Sequence, residues 1–209
     1  MSLRPSLPSI AVAPGAWRYA AAAFAGAVLL VPIAFPAAIA ALVLGIFVLW
    51  FHRDPDRSPP ETGFVSPADG SVSVIRTESD ENGRDRVRVG VFMNVTDVHV
   101  NRAPAGGMVR SVDHRSGAYK PAFSKDSDRN ERVVIDLDGY EVALIAGWFA
   151  RRIHPSVDSG QEVHRGDRIG HVSFGSRADV LLPPRYSLGD VCVERGDRVR
   201  AGETVVADR

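Results

Sequence analysis

The sequence predicts a mostly β protein of the α+β class, in which a helical hairpin precedes one compact, sandwich-like β domain. Three observations carry that reading. The chain from Tyr19 to Phe51 contains no charged residue. After residue 60 the apolar residues alternate at the strand period, between turns built from Gly, Pro and Asp. The stretch from Ser176 to Arg209 is too short for a core of its own and must be woven into the preceding sheet.

The apolar stretch reads as two helices. Pro32 and Pro36 interrupt it, and proline inside a helix kinks or ends it. The pair is expected at roughly 16–30 and 37–51, a transmembrane or membrane-embedded hairpin whose helices are each short for a full span. A signal peptide would have one apolar run of about 7–15 residues, and here the run is longer and resumes after the prolines. A buried helix pair in a water-soluble core is the competing structure. Arg4 and Arg18 before the hairpin, and His52, Arg53 and Arg57 after it, favour both ends on the cytoplasmic side. Trp17, Tyr19, Trp50 and Phe51 fall at interface depth. Residues 1–51 are thus the anchor, 52–60 a polar, proline-rich linker, and 61–209 the β domain.

Within that domain strands are expected at 64–66, 71–75, 86–93, 108–112, 133–137 and 140–146. Asp138-Gly139 between the last two is a strong hairpin signal. Residues 120–132 are polar and read as a loop with at most one helical turn. Val163 to Gly170 is echoed by Val193 to Glu203, each with a valine, a Gly-Asp turn and a β-branched residue at equal offsets. Recurrent turns of this kind belong to short strands in a compact β domain.

Charge and composition exclude several classes. Lys and Arg number 25, as do Asp and Glu, so the chain lacks the basic surplus of a nucleic-acid binder. Cys192 is the single cysteine, which rules out an internal disulfide and reads as a small buried hydrophobe. No His or Cys pair has metal-site spacing, so no protein-bound metal is expected, and no Gly-rich phosphate loop is present.

The chemistry-bearing candidates are few. Ser176 follows Gly175 between two apolar runs, and is either a plain turn residue or a hydroxyl held for reaction. Asp69, in Pro67-Ala68-Asp69-Gly70, either caps its own turn or acts in the site. Asp97, His99 and Asn101 share one side of the segment if it is extended, with Val98 and Val100 towards the core. A histidine on such a polar side suits a base or a carboxylate contact.

Taken in order, the N-terminal apolar pair, Phe51-His52-Arg53-Asp54-Pro55, Ser66-Pro67-Ala68-Asp69-Gly70, Asp97 through Pro104, and Phe174-Gly175-Ser176 resemble the short prokaryotic phosphatidylserine decarboxylase proenzymes. The likeness covers nearly the whole chain, and its combination of motifs is more specific than any one of them. It implies a pyruvoyl-dependent enzyme that cuts itself between Gly175 and Ser176. The products would be a large chain, 1–175, and a small chain, 176–209, headed by a pyruvoyl group made from Ser176. It also implies decarboxylation of phosphatidylserine to phosphatidylethanolamine at the cell membrane, with the catalytic domain on the cytoplasmic side, and a homodimer. Asp69 and His99 match the family residues that assist the serine. Arg102 stands where longer members carry a second histidine, so His99 either covers both tasks or shares them with another histidine such as His154. Arg102, His154 and Asp97 are therefore candidate substrate or base contacts.

The implied chemistry accounts for the residue types. An activated serine attacks the Gly175 carbonyl, replacing amide by ester, and glycine leaves that carbonyl unhindered. Backbone N–H groups would stabilise the passing oxyanion. Elimination and hydrolysis then leave the pyruvoyl ketone, which forms a Schiff base with the substrate amine and accepts electrons as carbon dioxide leaves. Phe92, Met93, Trp148 and Phe149 either face acyl chains or pack in the core. Arg151 and Arg152 either contact phosphate or are a solvated pair. Two other classes remain open at this level: a membrane-tethered β domain that binds a partner uncut, and a Ser-His-Asp hydrolase, although Gly-x-Ser-x-Gly is absent.

Overall fold

The structure, a computed structural model, describes residues 11–13, 15–80, 83–118, 129–147, 152–172 and 175–209 of the 209-residue chain. The chain divides into two compact units, Met1–Asp56 and Arg57–Arg209.

The first unit is the hairpin. Helix α1 spans Ala16–Leu30 and α2 spans Phe35–Phe51, and the two pack on each other. Helix α2 starts two residues before the expected position because Pro36 sits in its first turn, where its missing N–H costs nothing. At 1.5 Å per residue the helices are roughly 22 and 26 Å long, against a hydrocarbon core of roughly 30 Å. Among the described residues no helix is long and apolar enough to cross a membrane, so the transmembrane form of the expectation is not supported. The hairpin is nevertheless strongly apolar outside. Trp17, Val28, Leu29, Ile33, Phe35 and Val43 are all more than half exposed. Its base is closed by backbone bonds, Ala13 N–H to His52 O at 2.8 Å and Asp54 N–H to Ala11 O at 2.7 Å. The Arg53 guanidinium lies over the Trp50 ring at 4.6 Å.

Among the described residues the second unit is built of β-strands, apart from short 3-10 turns such as Leu188–Asp190. Its strands are β1 (Phe64–Val65), β2 (Gly70–Ser79), β3 (Asp85–Phe92), β4 (Val100–Arg102), β5 (Gly107–Arg115), β6 (Arg132–Leu137) and β7 (Tyr140–Ile145). After these come β8 (Ile153–Pro155), β9 (Glu162–Val163), β10 (Arg168–Val172), β11 (Arg177–Leu181), β12 (Arg198–Val199) and β13 (Val205–Ala207). An eight-stranded sheet runs β12-β2-β3-β11-β7-β6-β5-β9, beside a three-stranded sheet β4-β10-β8 and the pair β1-β13. All these pairings are antiparallel, as expected where turns rather than crossover helices connect the strands.

The expected interweaving of residues 176–209 is present. Strand β11 lies in the sheet interior between β3 and β7, β12 borders β2, and β13 pairs with β1. Along β11, Ala178 and Val180 enter a core that includes Val89, Val91, Ile135, Val142, Leu144 and Leu182. Residues 176–209 would therefore remain seated in the sheet without a peptide bond at their start.

The internal echo is a repeated turn. His164 N–H donates to Asp167 Oδ2 at 2.7 Å, and Glu194 N–H to Asp197 Oδ2 at 2.8 Å. Each Asp caps the residue three before it, and Gly166 and Gly196 take φ of 84° and 98°. Each turn also grips a neighbouring chain segment through two backbone bonds, Ala103 for the first and Val72 for the second. Cys192 departs from expectation. It is exposed, because Val191 and Val193 turn towards the core and the residue between them points away.

The other face of the eight-stranded sheet carries a charged cluster. Asp179 is fully buried, receives Arg177 Nε at 2.7 Å and Arg177 Nη2 at 3.0 Å, and takes Arg88 Nη1 at 3.3 Å. Arg88 continues to Glu78, with Nε to Oε2 at 2.8 Å. Burial pushes the Glu78 carboxyl up, but hydrogen bonds and charge from Arg88, with Arg76, outweigh it and hold the group below its ordinary 4.5. A carboxyl depressed in the folded state stabilises fully above 4.5, and that contribution is lost as pH falls through the lower folded value. Urea melts between pH 7 and pH 3 should show Glu78→Gln losing less stability on acidification than the parent protein. Equal acid slopes would remove Glu78 from the acid response.

Candidate active site

Ser176 begins the chain's entry into β11 and is fully buried. Gly175 before it takes φ of 63°, a left-handed conformation that favours glycine, with open space where a Cβ would stand. The Ser176 hydroxyl donates to Val172 O at 3.4 Å and lies 4.0 Å from Met93 Sδ. Its own carbonyl accepts Met93 N–H at 2.9 Å. Met93 thus touches the serine through both backbone and sulfur. Met93 is completely buried, which decides its open reading for core packing rather than an acyl-facing surface.

His99 reaches this point through β10. The β4–β10 pairing sets His171 opposite Val100, and one residue on, Val172 N–H donates to His99 O at 3.4 Å. The same Val172 accepts the Ser176 hydroxyl, so a single residue bridges the histidine backbone and the serine side chain. His99 is 3% exposed. The expected division of residues 97–101 into a polar side and a core side needs correction, because every residue from Asp97 to Pro104 is buried. The Ser66–Gly70 loop lies against β4, with Pro67 O accepting both Arg102 N–H at 3.0 Å and Asn101 Nδ2 at 3.4 Å.

Asp69 is engaged elsewhere. Both its oxygens take Arg57 Nη2, at 2.9 and 2.8 Å, and Oδ1 also accepts Ala201 N–H at 2.8 Å. Arg57 in turn reaches Glu203 at 3.3 Å. Asp69 therefore ties the start of the second unit to the turn before β13, and its hydrogen bonds go neither to His99 nor to Ser176. Arg57, counted among the flanking charges of the anchor, belongs to this ion pair. Asp97 caps Asn94 N–H at 2.8 Å and pairs with Arg198, whose hydrogen bond to Asp97 holds the guanidinium above its ordinary value. Arg102 is buried and donates to Gly166 O at 2.9 Å, so it holds the first of the repeated turns. His154 is exposed on β8 and stacks on His171 at 4.6 Å. It lies across β10 from β4.

The structure thus gathers Ser176, Met93, Asn101, Val172 and the backbone of His99. It leaves Asp69, Asp97, Arg102 and His154 in other contacts. Phe174, Trp148, Phe149, Arg151 and most of the 120–132 loop lie outside the described residues. Sequence reasoning missed Arg57 as the partner of Asp69, and Asp179 as the anchor of Arg177. A signal existed for the latter, since Arg177 and Asp179 are charges spaced by two inside an otherwise apolar strand. Among the described residues no three His, Cys, Asp or Glu side chains group as metal ligands would.

The described β unit, with a buried serine after a left-handed glycine at the entry to an interior strand, is of a mostly β class with one candidate centre at that junction. The particular family follows from comparison. The family model for phosphatidylserine decarboxylase matches residues 44–207. The chain belongs to that family, and is a carboxy-lyase made as a proenzyme that acts on membrane phospholipid. It is 57% identical to the "Putative archaetidylserine decarboxylase proenzyme" of Halobacterium salinarum, over 95% of this chain and 99% of that one. It is 47% identical to the phosphatidylserine decarboxylase proenzyme of Thermobifida fusca, over 80% of this chain and 76% of that one.

Proposed function

We propose that this proenzyme cuts itself between Gly175 and Ser176 and then removes the carboxyl group of a serine phospholipid at the membrane surface. The observation that carries the proposal is the burial of Ser176 beside an unhindered, left-handed Gly175. Ser176 would attack the Gly175 carbonyl carbon through Oγ, and the amide nitrogen of Ser176 would leave. The Val172 carbonyl, which already accepts the hydroxyl, would fix its direction of approach. His99 would be the base, its backbone joined to Ser176 through Val172. Asp69, held by Arg57, would act on the site by keeping the Ser66–Gly70 loop against β4.

The residues fit a pyruvoyl group at position 176. That group supplies an electron-accepting ketone to the bound amine of the substrate. The carbonyl of residue 176 survives the cut, and Met93 N–H would continue to polarise it. The apolar hairpin would lie in the interface of one leaflet, its helices too short to cross, and so keep the site beside lipid headgroups. The basic flanks Arg18 and Arg53 support the cytoplasmic face.

Two lipids share the serine headgroup, phosphatidylserine and archaetidylserine. The near full-length similarity to the Halobacterium protein favours the second. Carbon dioxide release from vesicles of each lipid, alongside intact mass of the denatured protein, tests the proposal. The expected result is a fragment spanning 176–209 with a pyruvoyl start, and activity on at least one lipid. A single uncut chain that nevertheless decarboxylates would refute self-cutting, and a cut chain inactive on both lipids would refute the substrate class.

A further inference from the structure

Asn101 is completely buried close to Ser176. Its Nδ2 points to Pro67 O at 3.4 Å and to Met93 Sδ at 3.6 Å, and Met93 Sδ is 4.0 Å from the Ser176 hydroxyl. Its Oδ1 is buried and has no hydrogen-bond partner among the described residues. A buried acceptor without a donor costs free energy, and such groups persist where a ligand completes them. The Pro67 carbonyl can only accept, so it fixes which end of the carboxamide is left over.

We propose that Asn101 Oδ1 receives the amine nitrogen of the phospholipid headgroup and holds it beside residue 176. The assignment rests on the serine-phospholipid reading above and deepens it. Chemistry narrows the ligand atom. A serine phosphodiester offers a carboxylate and a phosphate, both acceptors at neutral pH, and one N–H-bearing group, the amine. Only the amine can satisfy Oδ1. Asn101 is therefore a substrate-binding residue that selects for a headgroup carrying nitrogen.

The test uses the full-length processed enzyme with Asn101→Leu and Asn101→Asp. Leucine fills the volume without an acceptor, and aspartate keeps the shape with two. The readouts are the cut fraction by intact mass, the cyanoborohydride-dependent mass gain of the small chain with glycerophosphoserine, and the separate kcat and KM for lipid vesicles. N101L should cut normally, trap the amine roughly 10- to 100-fold more slowly, and raise KM. N101D keeps an acceptor for the amine but loses the donor to Pro67 O, so it should trap faster than N101L though below the parent. Normal trapping by N101L overturns the assignment. So does failure of N101L to cut, which would give Asn101 to self-processing instead. Should N101L prove insoluble, Asn101→Ala takes its place, and normal trapping by cut N101A would equally overturn it. A parent enzyme that cuts and traps the amine but releases no carbon dioxide would defeat the decarboxylase reading while leaving Asn101 its amine.

Discussion

Ser176→Ala is expected to leave the chain whole and to abolish decarboxylation. Three features of the site argue for a loss that is chemical and not structural. Among the described residues the hydroxyl makes only long contacts, to Val172 O at 3.4 Å and Met93 Sδ at 4.0 Å, whose removal should cost about 1 kcal/mol. The backbone bond from Met93 N–H to the residue 176 carbonyl survives the substitution. Alanine also fits any space that serine fills. The variant should therefore melt within a few degrees of the uncut parent, while activity falls by at least about 10⁶-fold, the lower end of enzymatic rate enhancements. Intact mass reads the first outcome and carbon dioxide release the second. A small chain spanning 176–209 released from the variant would place the nucleophile elsewhere.

Asp179→Ala should be the most destabilising single change in the β unit. Asp179 is fully buried, as Arg177 nearly is, and Arg88 reaches the same carboxylate. Its removal takes two hydrogen bonds from the buried Arg177 guanidinium and one from Arg88, and breaking a buried pair on one side typically costs about 3–5 kcal/mol. For a unit of this size that corresponds to a fall in Tm of roughly 10–15 °C. The effect should reach the site as well, because Arg177 is the residue after Ser176 and the cluster fixes where β11 begins. Slower self-cutting is the expected functional sign. Gly90→Ala supplies an independent check, since an added Cβ would stand 2.5 Å from Asp179 Oδ1 and displace the same carboxylate from another strand. An Asp179→Ala protein within about 1 kcal/mol of the parent, well short of the usual cost of a broken buried pair, would show that the strand pairings to β3 and β7 hold β11 without it.

Much of the architecture was written in local patterns. The uncharged stretch broken by Pro32 and Pro36 specified two short helices, and strand periodicity located most of the long strands. The echo between Val163–Gly170 and Val193–Glu203 was a true structural repeat, because an Asp capping its own Gly turn depends only on neighbours in sequence. The weaving of residues 176–209 into the sheet followed from the shortness of that segment alone. The Gly175-Ser176 junction was also legible, as a small pair between two apolar runs.

What remained hidden depended on residues far apart in the chain. Asp69 was read as a partner for His99 and Ser176, but its charge is taken by Arg57 and its Oδ1 by the Ala201 N–H, 132 positions away. Met93 read more readily as core than as an acyl-facing residue, but only the packing of β3 against the start of β11 set it against Ser176. Asn101 shared the expected polar side with Asp97 and His99 but had no role assigned, since an asparagine in an extended segment is ordinary until both faces of that segment are covered. The sequence by itself determined which segments form helices, strands and turns, because those follow from neighbouring residues and their periodicity. The tertiary structure decided which polar groups meet, because burial and charge pairing are set by chain segments that sequence order does not bring together.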